Sequence, residues 1–333
     1  MPGVADVPVR QSIFRSNADS PGGPASGWTL KTPRRVPPGR GLNHVQPPAA
    51  VRIAAATIAE KTEAANSHVV LLSGPSGSGK TTTAQKISDA LKRIGLRAHT
   101  ISLDKYFVTP HPETSPLTED GEYDRESPYC LDLELLNTHF YALERGEEVL
   151  IPHFDFAVQA RDPCITMPLK LGKNELVIFE GIHALNDLVA DEHPNAFKLY
   201  ISARSDVKNY GRLCFKRTWT RLMRRIVRDE LFRGTGAAET LKMWANVRHG
   251  EKMYISPFKY KADILFDSSM EYEVPVMKQF ALKAFGDVPD GIDRLDELRT
   301  LLPSLQEFED VDASFVPKDS ILREFIGGGI YEH

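Results

Sequence analysis

From about residue 51 the chain alternates short unbroken apolar runs with longer stretches whose apolar residues recur every three or four positions. VRIAAATIAEKTEAA predicts an Ala-rich amphipathic helix, and the run HVVLLS after it suits a strand buried on both faces. A glycine-rich turn follows. Next comes a helix with Ala84, Ile87, Leu91 and Ile94 on one face and Gly95 as its stop. AHTISL predicts a strand ending at Asp104, and after a polar loop the periodicity predicts a helix near 132–145. EEVLIPHFDF and CITMPLKL read as a short strand pair, ELVIFEG and AFKLYIS as two more buried strands. An arginine-rich helix, a second helix near 237–248, the strand ADILF and the helix VPVMKQFALKAF complete the unit. Strands alternating with helices imply an α/β fold, a doubly wound parallel sheet with right-handed crossovers and helices on both faces.

Residues 1–50 stand outside this pattern. PGGPASG, RRVPPGRG and QPP show neither period, so the segment reads as a disordered tail, either a solvated extension or an organellar transit peptide. The regular unit then spans 51–288, and 289–333 reads as a helical docking segment. Apolar and charged fractions of 41% and 26% are those of a soluble globular protein. A net charge of −4 supplies no basic field for a nucleic acid polymer. Three scattered cysteines, Cys130, Cys164 and Cys214, form no disulfide framework or metal spacing, which suits a reducing, cytoplasmic setting. No apolar run approaches the roughly 18 residues of a membrane span, and no signal peptide opens the chain.

The chemistry begins at GPSGSGKT, Gly74 to Thr81, which fits G-x-x-x-x-G-K-[ST] between a predicted strand and a predicted helix. That context points to a phosphate loop in a P-loop NTPase fold. Gly74, Ser76, Gly77, Ser78, Gly79, Lys80, Thr81 and Thr82 are expected to hold the phosphates of ATP, with the Thr81 hydroxyl on Mg²⁺. Neither N-K-x-D nor L-S-G-G-Q is present, so the sequence argues against a GTPase switch and a transporter ATPase. A small-molecule kinase remains. Asp104 and Glu180 end two strands on the edge where ligands gather. Asp104 is expected as catalytic base and water-mediated metal ligand, Glu180 as a carboxylate of the metal shell, and His183 as structural. RLMRRIVRDELFRG sets Arg221, Arg224, Arg225 and Arg228 on one helix face, where like charges repel. The expected counter-ion is the triphosphate, the expected role a lid over about 217–250 with Leu222, Met223, Ile226 and Val227 as its apolar side.

The order of GPSGSGKTTTAQKIS, SLDKYF, GEYDRESPYCLDLELLN, IPHFDFAVQAR, FEGIHALN, RLMRRIVRD and YISPFKYKADILFDSS resembles the uridine kinase / phosphoribulokinase family, closest to its uridine kinase-like subgroup. DSILREFIGG, 319–328, is similar to that subgroup's C-terminal segment. The resemblance implies a five-stranded parallel sheet with a small β excursion and an arginine-bearing lid. It implies transfer from ATP to the 5′-hydroxyl of a nucleoside such as uridine or cytidine, an activity of pyrimidine salvage. Asp104 then matches the catalytic Asp, Asp124 the residue holding the acceptor ribose, and Arg225 an arginine near the acceptor sugar. Arg228 and Arg233 match phosphate-contacting arginines. The chain departs from the family where the pyrimidine is read, with Phe154 and Gln159 for the usual Tyr and His, and it carries Thr235 for an arginine after the lid's R-G. Kinases for a phosphopentose or pantothenate-like alcohol, and a nucleotide-binding regulatory module, stay open beside the nucleoside kinase. LREFIGGGI docks either on its own domain or on a second subunit, which leaves a homo-oligomer open.

Overall fold

Three short apolar runs, Val69–Ser73, Glu175–Glu180 and Phe197–Ser202, build the centre of the molecule because each buries both faces and bonds its backbone to a neighbour on either side. In the computed structural model, residues 47–331 are described apart from 66, 157, 287 and 289–294. The tail expected over 1–50 therefore lies outside the described residues up to 46. Helix α1 (Pro47–Ala65) leads into β1 (Val69–Ser73), α2 (Lys80–Lys92) and β2 (Arg97–Ser102). Helix α3 (Leu133–Glu144) precedes the hairpin β3 (Val149–Asp155) and β4 (Ala160–Leu169), and then come β5 (Glu175–Glu180), the one-turn α4 (Asp187–Ala190) and β6 (Phe197–Ser202). A second hairpin, β7 (Val207–Asn209) and β8 (Arg212–Phe215), opens onto helices α5 (Arg217–Phe232) and α6 (Ala237–Gly250), which span the segment expected as a lid. Strand β9 (Ile264–Asp267) and helices α7 (Glu273–Gly286), α8 (Leu295–Gln306) and α9 (Arg323–Ile326) follow.

The sheet order is β2-β5-β1-β6-β9, all parallel, as the sequence and the resemblance imply. Alternation along β1 divides the core: Val70 and Leu72 face α1 and α2 with Ile58, Ala84, Ile87 and Leu91. Val69 and Leu71 face α3 with Leu136 and Phe140. Because the strands are parallel, the ends of β2, β5 and β1 share one edge, where Asp104, Glu180 and the phosphate loop follow their strands. No described helix is long and apolar enough to cross a membrane.

Three local expectations change. Ile94 was placed on the buried face of α2, but the helix stops at Lys92 and Ile94 lies exposed beyond it. The hairpin β7–β8 is absent from the sequence reading. Its strands have three and four residues, too short for an apolar period to show. The tail LREFIGGGI docks on its own chain: Leu322, Phe325 and Ile326 join Leu222, Ile226, Trp244, Met277 and Leu301 in a third core cluster.

That cluster explains Arg224. Its guanidinium is wholly buried, donates from Nη2 to Glu273 Oε2 at 2.7 Å and to the Ser268 carbonyl at 2.8 Å. It also donates from Nη1 to the Gly77 carbonyl at 3.1 Å and lies 5.0 Å over the Phe325 ring. The counter-ion of Arg224 is thus Glu273 rather than a triphosphate, since a charge removed from water needs an internal partner. Arg221, also buried, pairs with Glu251 and lies over Trp244. Breaking a buried pair from one side strands the other charge, so Arg224→Met is expected to destabilise by about 3 kcal/mol or more. Adding Glu273→Met should recover part of that loss. Thermal denaturation of the two variants checks both statements.

Candidate active site

The phosphate loop turns at the end of β1, in the middle of the sheet. Gly74 approaches β6 so closely that a Cβ would stand 2.1 Å from the Ile201 carbonyl oxygen, which only glycine allows. Helix α2 begins at Lys80, and its first intrahelical bond runs from Thr83 N to the Gly79 carbonyl at 3.1 Å. The N–H groups of Lys80, Thr81 and Thr82 precede that bond, at the positive end of the helix dipole. Lys80 folds over the loop and donates to the Pro75 carbonyl at 3.4 Å. Burial lowers the pKa of its ammonium, opposed by the charges of Glu180, Asp104 and Glu324.

Carboxylates surround that amine. Glu180, buried at the end of β5, accepts from Thr81 Oγ1 at 3.1 Å. Its pKa is pushed up to about 7 by burial, against the pull of Lys80. Asp104 stands just past β2 on a 3₁₀ turn, Leu103–Tyr106, with its N–H donating to Ser102 Oγ at 3.2 Å. Burial raises its carboxyl as well, opposed by Lys80, Arg233 and Arg228. These residues fit a hard cation: a hydroxyl and two carboxylates with uncompensated charge. No group of three or more His, Cys, Asp or Glu able to hold a metal occurs among the described residues, so phosphate oxygens and water would complete any shell. His183, three residues past Glu180, is buried edge-on to Tyr254, and burial holds it neutral with a pKa of about 3.

The lid helix α5 lies directly on the loop. Arg225 Nη1 donates to Ser76 Oγ at 2.9 Å, and its Nε stands 3.3 Å from Asp229 Oδ2. Arg228 donates from Nη2 to Asp229 Oδ1 at 2.7 Å, while Arg233 reaches the same oxygen only at 3.7 Å and is largely exposed. Buried Asp229 therefore already supplies counter-charge to three arginines. The sequence reading assigned that counter-charge to the triphosphate alone. It overlooked Asp229 because an acidic residue inside a basic helix is ordinarily an i,i+4 partner on the surface.

Asp124 is buried, and its Oδ1 accepts from Glu126 N at 3.1 Å and Asn246 Nδ2 at 3.0 Å. Glu126, missed by the sequence reading, puts a second carboxyl beside it, pushed up to about 7 mainly by burial and opposed by Arg225. The available signal was its place two residues past Asp124 in the quoted motif. Phe154 is buried in an aromatic group, 5.6 Å from Phe107 and 5.0 Å from Phe156 between ring centroids. Gln159 takes a left-handed backbone (φ 58°) and turns its amide to the Phe156 carbonyl at 3.4 Å. Arg161 ties this hairpin to Asp132, the N-cap of α3, at 2.7 Å and to the Asp104 turn through the Tyr106 carbonyl at 2.9 Å. Thr235 sits just past the lid helix, its N–H on the Asp229 carbonyl.

Residues 69–275, more than half of the chain, match the sequence model of the phosphoribulokinase / uridine kinase family. The protein belongs to this kinase family. The uridine kinase of Halobacterium salinarum is 28% identical over 202 residues, covering 60% of this chain and 79% of the archaeal protein. That of Staphylococcus aureus is 27% identical over 212 residues, covering 62% and 91%. A solved structure from Bacillus stearothermophilus described as a possible uridine kinase aligns at TM-score 0.44 and 18% identity, over 66% of this chain and 98% of that one. It bears no weight here.

The raised carboxylates of this family member carry a stability consequence. A Glu180 pKa near 7, against an ordinary 4.5, means the folded state prefers the protonated form. Stability from that preference is full below pH 4.5 and is lost as the pH rises through 7. Glu180→Gln is therefore expected to raise the Tm of the nucleotide-free protein at pH 8, by about 1–2 °C per kcal/mol recovered. No gain is expected at pH 4. Thermal melts of both proteins at the two pH values check the sign.

Proposed function

We propose that the protein transfers the γ-phosphate of ATP to a hydroxyl of a small sugar-bearing acceptor, with the 5′-hydroxyl of uridine or cytidine as the leading acceptor. The observation that carries this reading is the convergence of Asp104, Lys80 and Thr81 at the mouth of the phosphate loop. Asp104, whose charge acts on Lys80, would accept the proton of a hydroxyl meeting a nucleotide's terminal phosphate there. The N–H groups at the start of α2 and the Lys80 ammonium hold the phosphates. Thr81, Glu180 and Asp104 would hold Mg²⁺, which when bound supplies positive charge to the phosphate oxygens. As the acceptor oxygen bonds to the γ-phosphorus, the bond from that phosphorus to the β–γ bridging oxygen breaks. The hydroxyl proton passes to Asp104, and ADP leaves. A carboxyl raised by burial is a stronger base than one in water, which suits this step near neutral pH. Arg228 and Arg233 offset charge gathering on the transferring oxygens once the phosphates compete with Asp229 for them. Asp124 and Arg225 orient the acceptor sugar, and the lid helices keep water out. Cytoplasmic action is consistent with three free cysteines.

A second reading, a kinase for another sugar-like alcohol, draws support from Phe154 and Gln159. One is packed among phenylalanines and the other spends its amide on a backbone carbonyl, so neither offers the donor pattern of a Tyr–His pair. ADP release across uridine, cytidine, pentose phosphates and pantothenate separates the readings. Stimulation by the pyrimidine nucleosides is the expected result, stimulation by another alcohol supports the second, and none at all defeats both. Phe154→Tyr with Gln159→His is expected to raise kcat/KM for uridine; a fall would argue for another acceptor.

Asp104→Asn should lower kcat by roughly a hundredfold or more with ATP binding retained, read by single-turnover kinetics and calorimetry. Since its carboxylate must be deprotonated to act, wild-type kcat/KM should rise with pH through the raised Asp104 pKa. Asp104→Asn should lose that limb of the profile.

A further inference from the structure

The segment left without a role by the proposed reaction, Asp319–Gly329, lies on the phosphate loop itself. Ile321 covers Gly79 so closely that a Cβ there would meet its Cγ2 at 2.4 Å. Beside it, buried Glu324 accepts through Oε2 from Thr82 N at 3.2 Å and from Thr82 Oγ1 at 2.8 Å. That N–H precedes the first intrahelical bond of α2, so it is among the donors a phosphate loop presents to the phosphates of a nucleotide. A carboxylate bonded there has the charge and the acceptor oxygens of a phosphate. Its negative charge is felt at both Lys80 and Glu180, which places it in the same electrostatic field as the reaction centre.

The segment is tied down on both sides of the loop. Lys86 on α2 donates to Asp319 Oδ2 at 2.7 Å, and Tyr331 donates to Asp89 Oδ2 at 2.8 Å. Phe325 lies beneath the Arg224 guanidinium, and Gly327 abuts Phe232 at the end of the lid helix. It therefore touches α2 and α5, the two elements whose groups a bound triphosphate would bridge. Leu322 and Phe325 are wholly buried, so the smallest movement that releases Thr82 is withdrawal of the Glu324 side chain, with or without a shift of the single-turn α9.

We propose that Asp319–Gly329 is an intramolecular gate in which Glu324 occupies a phosphate donor of the loop and a nucleotide must displace it to bind. The gate rests on the nucleotide-binding part of the proposed function and is independent of which acceptor is used. Calorimetric titration of the full chain with ADP tests it. Glu324→Ala is expected to bind ADP about tenfold or more tightly than wild type, with Glu324→Gln in between, because a charge-assisted competitor has been removed. In wild type, amide exchange over 319–331 should quicken when ADP saturates the site. Equal or weaker binding by Glu324→Ala, or exchange unchanged by ADP, would overturn the gate and make Glu324 only a helix cap. If neither protein binds ADP, the nucleotide reading falls with it. Should Glu324→Ala fail to fold, Glu324→Gln and the exchange measurement decide.

Discussion

A single buried guanidinium joins most of the functional parts of this kinase-family member. Arg224 reaches the phosphate loop through the Gly77 carbonyl, the β9–α7 turn through Ser268 and Glu273, and the C-terminal segment through the face of Phe325. Each contact answers the same physical demand, that a charge stripped of water be surrounded by acceptors. Because the helix bearing Arg224 also bears Arg225 and Arg228, anchoring the first sets where the other two stand. Helix α5 is therefore held against the phosphate loop at two adjacent residues, through Arg224 on the Gly77 carbonyl and Arg225 on Ser76 Oγ.

The cleft below it is built the opposite way. Asp104, Glu126 and Glu180 are all raised by burial, and Lys80 is lowered by it, so the free site holds its charges at a cost in stability. Such a cost persists where the groups are needed in their charged or poised form by a ligand that compensates them. A nucleotide with its cation would supply that compensation. Glu324 at the start of α2 favours the charged form of Lys80, and Asp229 beneath the arginines offsets their charge, both from within the chain.

Much of the architecture was legible in the one-dimensional pattern. Continuous apolar runs such as VVLLS and ELVIFE have few alternatives to a buried parallel strand, and the glycines of the loop meet steric limits that only glycine satisfies. What escaped was of two kinds. Short exposed elements such as β7 and β8 have too few residues to show a period. Partners distant in sequence, such as Arg224 with Glu273, Thr82 with Glu324 and Asp124 with Asn246, leave no local mark at all.

The sequence by itself determined the five strands of the central sheet, the main helices between them, the phosphate loop and the two carboxylates at strand ends, because each follows from local sterics or periodicity. Only the tertiary structure decided which arginine is structural and which faces the cleft. All four share one helix face, and folding brings Glu251 to Arg221 and Glu273 to Arg224, while Arg225 and Arg228 keep Asp229 of their own helix. The same holds for the C-terminal segment. Its apolar residues predicted docking, but the place of docking, on a core shared with α5 and α7 and beside Thr82, exists only once the chain has closed on itself.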